Sequence, residues 1–251
     1  MTAMKKWVIV AVVAALGVLG IGIVGIGLFM LTDCCTPVNR SLPVYTHDQT
    51  ESAHPWYRHS TVTCGSAVYV HDFEEAALLL ASYDPTNAIG RAPFGNALVC
   101  FIEGQKPTDY IAVDCGSEMP AFAVYRRLDH PPFDWRHAQF KRMEFTGRIG
   151  RTEHKRTTDP ALMADLVRTL SEGTPTTLLL PVAVTGSNVC GVHLYSDQLP
   201  GLIFCPEVYC DESGPVYVAE SMAAEFTNRT ARFHARWIPA GPQFSTWVQT
   251  P

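Results

Sequence analysis

Apolar and polar positions fall into two regimes along this chain. From Trp7 to Leu31, twenty-five residues run without a charged or strongly polar side chain. At about 1.5 Å rise per residue, a helix of that length exceeds a hydrocarbon core of about 30 Å, so the run predicts a transmembrane helix. Lys5 and Lys6 precede it, Asp33 follows it, and the nearest later cation is Arg40. The positive-inside rule then holds residues 1–6 in the cytoplasm and exports the rest, giving a single-pass plasma-membrane protein. A cleaved signal peptide would have a shorter apolar core, about 7–15 residues, and a small-residue exit site. Leu31-Thr32-Asp33-Cys34 is also a poor lipidation box, because Asp33 stands where a small residue is wanted.

After the span the pattern breaks into short alternating runs. Residues 32–59 are polar, carry Pro37, Pro43 and Pro55, and predict a stalk. Residues 60–150 and 151–251 predict two small α+β lobes of antiparallel strands, each with one main helix. In the first, strands at 61–63 and 67–70 precede a helix over 73–83, with Asp72 and Glu75 as its capping pair and Asp84-Pro85 as its end. A hairpin follows, Ala97–Glu103 with Asp109–Cys115, and then strands at 121–125 and 143–149. In the second, Asp159, Pro160 and Gly173 bracket a helix whose Leu162, Met163, Leu166, Val167 and Leu170 share one face. Strands at 177–184, 189–195, 202–209, 216–219 and 231–238 complete it, before a Pro/Gly tail.

Charge narrows the partners. Removing Lys5 and Lys6 from nineteen cations leaves seventeen against twenty-four acids, a net −7 beyond the span. An acidic domain of that balance argues against nucleic acid. All eight cysteines lie beyond the span, and an even number in an exported domain favours disulfides over metal. The candidates are Cys64, Cys100, Cys115, Cys190, Cys205 and Cys210. Cys100 and Cys115, one on each strand of that hairpin, are expected to face each other. Cys205 and Cys210 either close a small loop or reach Cys190 or Cys64. Cys34 and Cys35 sit at the membrane surface, where acylation or intermolecular bridging is open to them. His47, His54 and His59 are spaced too widely to preset a metal site, and no cofactor motif occurs.

The chain has no H-E-x-x-H, G-x-S-x-G or P-loop pattern. Asn39-Arg40-Ser41 and Asn228-Arg229-Thr230 are glycosylation acceptors in a host with the machinery. One charge feature stands out. Between Arg126 and Arg156 lie nine cations against four acids, a local +5 in an acidic domain. Arg136, Arg142, Arg148 and Arg151 are the candidate contacts for an anionic envelope polymer or an acidic protein partner. The same cations can instead pair with acids of their own domain. The sequence therefore implies a membrane-tethered extracytoplasmic module that acts by binding. The alternative is an exported hydrolase using a histidine with a carboxylate or cysteine in a cleft between lobes, where two or more of His130, His137, His154, His193 and Asp134 converge.

Overall fold

The computed structural model describes residues 41–51, 58–72, 78–82, 84–92, 97–114, 122–146, 154–176, 189–210, 214–220, 222–227 and 230–250. The expected span at 7–31 lies outside them. Among the described residues no helix is long and apolar enough to cross a membrane. The architecture is mostly antiparallel sheet with two helices.

The first half of the chain opens as a meander, β1 (Thr46–Glu51), β2 (Arg58–Cys64) and β3 (Ala67–Asp72). Gly65 in the two-residue β2–β3 turn has φ 59°, the left-handed region that glycine adopts without a Cβ penalty. β1 lies in the stretch expected to be a stalk, where it pairs with β2 along its whole length. Its polar composition hid it, since a sheet-edge strand needs backbone partners more than apolar side chains.

β4 (Leu78–Leu80) leaves that meander, while β5 (Ala88–Arg91), β6 (Leu98–Phe101), β7 (Tyr110–Asp114) and β8 (Phe122–Arg127) extend it. The resulting seven-stranded order is β1-β2-β3-β8-β7-β6-β5. The helix expected over 73–83 is thus corrected where it is described: Leu78–Leu80 is strand, not helix. Leu78 and Leu80 are half-buried while Leu79 between them is 40% exposed, which is the period of two that a strand imposes. Pairing with a wholly buried partner strand overrides the helical propensity of leucine here.

The β6–β7 hairpin forms as expected. Cys100 faces Ala112, and Phe101 faces Ile111. The Cys100–Cys115 juxtaposition is therefore corrected: the position opposite Cys100 is three residues earlier. Two successive turns, Gln105 N–H to Ile102 O and Asp109 N–H to Lys106 O, set this offset.

The second half supplies β9 (Phe140–Phe145), β10 (Lys155–Thr157), α1 (Pro160–Glu172), β11 (Val189–Ser196), β12 (Leu202–Phe204), β13 (Glu207–Cys210) and β14 (Val216–Ala219). A hairpin of β15 (Met222–Thr227) and β16 (Thr230–Ala235) follows, then β17 (Ile238–Pro239) and α2 (Pro242–Gln249). The main path is β10-β9-β11-β13-β14-β17, with β12 on β11 and β4 on β12. The run expected as one strand over 202–209 is broken at Cys205-Pro206, where proline has no N–H for the ladder.

α1 is capped as its sequence dictates, Asp159 Oδ1 accepting from Ala161 N–H at 2.9 Å. Its Leu162, Met163, Leu166 and Leu170 join Phe244 and Val248 of α2 over Met143, Phe145, Val192, Leu194, Val208 and Val218. Each such side chain contributes roughly 1.5–3 kcal/mol on burial. α2 stands where a Pro/Gly tail was expected, and both its ends are held from outside. Asp165 of α1 accepts from Phe244 N–H at its start, and Lys155 Nζ donates to Trp247 O and Val248 O at its end, each at 2.9 Å. These charges match the helix dipole with the right sign at each terminus.

The two sheets are also tied turn to turn. Gly104 (φ 81°) and Gly201 (φ 74°) bring their loops so close that a Cβ on Gly201 would lie 2.1 Å from Glu103 O. Gln105 Nε2 donates to Pro200 O at 2.8 Å across the same contact.

Candidate functional site

Because α1 and α2 cover one face of the second sheet, period-two alternation sends its polar side chains to the other. Register fixes their rows. Arg156 pairs with Glu144, and Glu144 with His193. Leu194 faces Phe204 and Val192 N–H donates to Pro206 O, which sets Cys205 beside His193. One row across this face is thus Arg156, Glu144, His193 and Cys205. In the next, Thr146 N–H donates to Gly191 O, Gly191 faces Glu207, and Glu207 faces Ala219. Val218 faces Ile238, so Trp237 comes level with Ala219. Tyr209 faces Tyr217 in a third row.

Glu144 is the anionic hub. Its Oε1 accepts from Arg156 Nε at 2.8 Å, and its Oε2 from Tyr195 OH at 2.9 Å. Arg142 stacks 3.7 Å over the Tyr195 ring with Nε 3.2 Å from Glu144 Oε1. Burial alone would raise the Glu144 pKa, but the hydrogen bonds from Tyr195 and Arg156 and the two arginine charges outweigh it and hold it low.

Gly191 is glycine for a spatial reason. A Cβ there would lie 3.1 Å from Cys205 Sγ, 3.6 Å from Thr146 Oγ1 and 3.7 Å from His193 Nε2. Burial pushes the Cys205 thiol up to about 12, helped by the nearby Glu207 charge. Burial also lowers the His193 pKa against the opposing pull of Glu144. The pair is therefore a neutral thiol beside a neutral imidazole at pH 7, which is not an activated nucleophile.

Glu207 differs from Glu144. It has no hydrogen-bond or ion-pair partner among the described residues, and burial pushes its carboxyl up to about 7. Two strands away, Trp237 is fully buried and its Nε1–H has no acceptor among the described residues. Tyr209 stands between the other two rings, 6.2 Å from Tyr217 and 6.1 Å from Trp237, centroid to centroid.

The residues singled out from sequence are dispersed. Arg136 lies 4.3 Å over the Trp135 ring and 3.7 Å from Glu220 Oε2, and Trp135 Nε1 donates to the same carboxylate at 2.7 Å. Lys141 pairs with Asp197, and Arg127 with Asp129. Arg148 and Arg151 lie outside the described residues, as do Cys34, Cys35 and Cys115. The described part of the basic segment is thus largely engaged by acids of its own domain. His137 binds Asp134 at 2.6 Å on the open surface, 84% and 59% exposed, which holds the Asp134 carboxyl below its ordinary range. His130 lies 3.7 Å from Asp109, and His154 is exposed. Only His193 of that set reaches the polar face.

His47 donates to or accepts from Ser60 Oγ at 2.7 Å, and Ser60 Oγ is 2.8 Å from Tyr125 OH, a staple from β1 to β8. No group of three His, Cys, Asp or Glu is arranged to hold a metal among the described residues. No disulfide joins the described cysteines. Cys190 and Cys210 point into the helix-covered core, whereas Cys205 faces the polar side and Cys64 belongs to the first sheet. A Cys205–Cys210 loop would have to bridge opposite faces.

Glu207 and Tyr209 on β13, Tyr217 on β14 and Trp237 just before β17 come from three separate stretches of sequence, and no spacing links them. The one signal was Glu207 itself, an acid between Cys205-Pro206 and Val208 in a run otherwise fit for a core.

No family model, curated protein or solved structure matches this chain.

Proposed function

We propose that the chain is a single-pass, membrane-tethered extracytoplasmic module of the cell envelope that acts by binding. The observation that carries this reading is the uncharged run from Trp7 to Leu31, with Lys5 and Lys6 before it and Asp33 after it. A folded β-rich domain begins close behind the run, and its edge strand β1 starts at Thr46. Such tethering suits a domain that senses, scaffolds or protects at the envelope.

The contact surface is the basic segment around Arg136, Arg142, Arg148 and Arg151. The Arg136 side chain is 51% exposed and that of Arg142 39%. An anionic partner competes there with Glu220 and Glu144, so binding is weak and salt-sensitive. Reversing Arg136, Arg148 and Arg151 to Glu should lower retention on an anionic resin such as heparin at low salt. Unchanged retention discards the surface. Protease added to intact cells should digest the domain and spare residues 1–6, and the reverse pattern discards the topology.

A further inference from the structure

Among the described residues, the polar face of the second sheet carries a half-buried carboxyl and a fully buried indole N–H, neither with a polar partner. Glu207 has no hydrogen-bond or ion-pair partner among the described residues. The Trp237 indole N–H, on a ring with 0% exposure, has no acceptor among the described residues. Buried polar groups of native proteins are paired in the great majority of cases, and each exception calls for a cause. Here a carboxyl and a donor lie on one face, level with each other across small Ala219. Tyr209 and Tyr217 lie in the next row of the same face. Tyr209 makes a 61° edge contact with Trp237 and a 40° tilted contact with Tyr217.

We propose that Glu207, Tyr209, Tyr217 and Trp237 form a binding site for a small organic ammonium ion that also carries an oxygen acceptor. The chemistry of the set selects this class. Tilted aromatic faces attract a cation through the ring quadrupole, and a carboxylate supplies the counter-charge. The cation compensates Glu207, and the ligand oxygen accepts from Trp237 Nε1–H. A metal ion fits poorly, since Glu207 is the one hard ligand in the set. A plain apolar ligand would leave both polar groups as they are. Glu207, Tyr209 and Tyr217 are only partly buried, which leaves the site a side open to solvent. The site uses no side chain of the arginine segment.

The ligand's charge makes binding pH-dependent. The other titratable or charged groups on this face are His193 and Cys205 beside Glu207, Glu144 and Arg142 from β9, Arg156 from β10, and Tyr195. Glu144 is already held by Arg156 and Tyr195, so Glu207 is the carboxylate left to take a cation. Binding should strengthen as Glu207 ionises, roughly tenfold per pH unit below 7 and level above it.

The test is calorimetric titration of the full chain in non-ionic detergent, with choline, with ethanolamine, and with the neutral isostere of choline in which carbon replaces nitrogen. Choline should bind saturably at pH 8 and about tenfold more tightly than the isostere. E207Q should remove most of that preference, and Trp237→Phe, which keeps a ring and loses the donor, should weaken choline several-fold. Circular dichroism confirms that each variant is folded. A short-chain phosphocholine lipid added as competitor separates the sources: tighter binding than choline names a lipid headgroup, weaker binding a free cation. Equal affinity for choline and its isostere, no saturation by about 10 mM of either amine, or an E207Q variant that binds like the native chain overturns the proposal.

Discussion

Replacing Glu207 by glutamine removes the ionisation of a buried carboxyl while keeping its shape and its capacity to accept a hydrogen bond. Burial moves this group from its ordinary 4.5 to about 7. At 1.36 kcal/mol per pH unit, that gap amounts to about 3 kcal/mol between the neutral and charged forms. The folded-state value lies above the unfolded one, so the folded chain binds the extra proton. The associated stability is fully present below pH 4.5 and is lost as pH rises through 7. Glutamine does not titrate. E207Q should therefore match the native chain at pH 4 and exceed it by a margin that grows through pH 5 and 6. The margin should level off near 3 kcal/mol by pH 8. Urea unfolding followed by tryptophan fluorescence at four pH values gives the difference directly, because all other titrating groups are common to both chains. Parallel stability curves, or a gap that is largest at low pH, would refute the assignment of an uncompensated carboxyl to this face.

Other perturbations test separate features. Gly191→Ala would drive a Cβ to 3.1 Å from Cys205 Sγ and should cost about 1–2 kcal/mol, largely restored in Gly191→Ala/Cys205→Ala by thermal melting. Lys155→Met removes the cation that closes the C-terminus of α2 and should cost about 1 kcal/mol, with faster amide exchange confined to α2. Asp165→Ala empties the other end of the same helix, leaves Phe244 N–H without its acceptor, and should cost about 1–3 kcal/mol in urea unfolding. Gly201→Ala combines φ 74° with a Cβ 2.1 Å from Glu103 O and should be the most damaging of the set, visible as loss of soluble folded chain.

The elements that the sequence disclosed were those whose determinants are local. α1 was legible from Asp159, Pro160 and Gly173 together with one apolar stripe. The β6–β7 hairpin was legible from its two apolar runs, and their bounds already place Ala112, not Cys115, opposite Cys100. β4 and α2 were not legible. Three leucines carry no period by themselves, and only β12 tells them to be a strand. α2 begins at Gly241-Pro242 with no capping side chain of its own; its cap is Asp165, seventy-nine residues from Phe244 in the chain. The polar face was hidden for the same reason. Glu207, Tyr217 and Trp237 become neighbours through the pairing of β13, β14 and β17, and nothing in their spacing announces it. The cations behaved in the opposite way: conspicuous as a run, Arg136, Arg142 and Lys141 go to Glu220, Glu144 and Asp197 once folded.

The exchange of β4 into the second sheet, with Gly104 and Gly201 locked against each other, bears on how this domain can be handled. A fragment ending near residue 150 would carry Leu78–Leu80 with no strand to dock on, and the complementary fragment would display the wholly apolar β12 as a raw edge. Shuffling, truncation or split-reporter designs that treat the two halves as modules should yield aggregates, whereas co-expressed halves have a built-in means of finding each other.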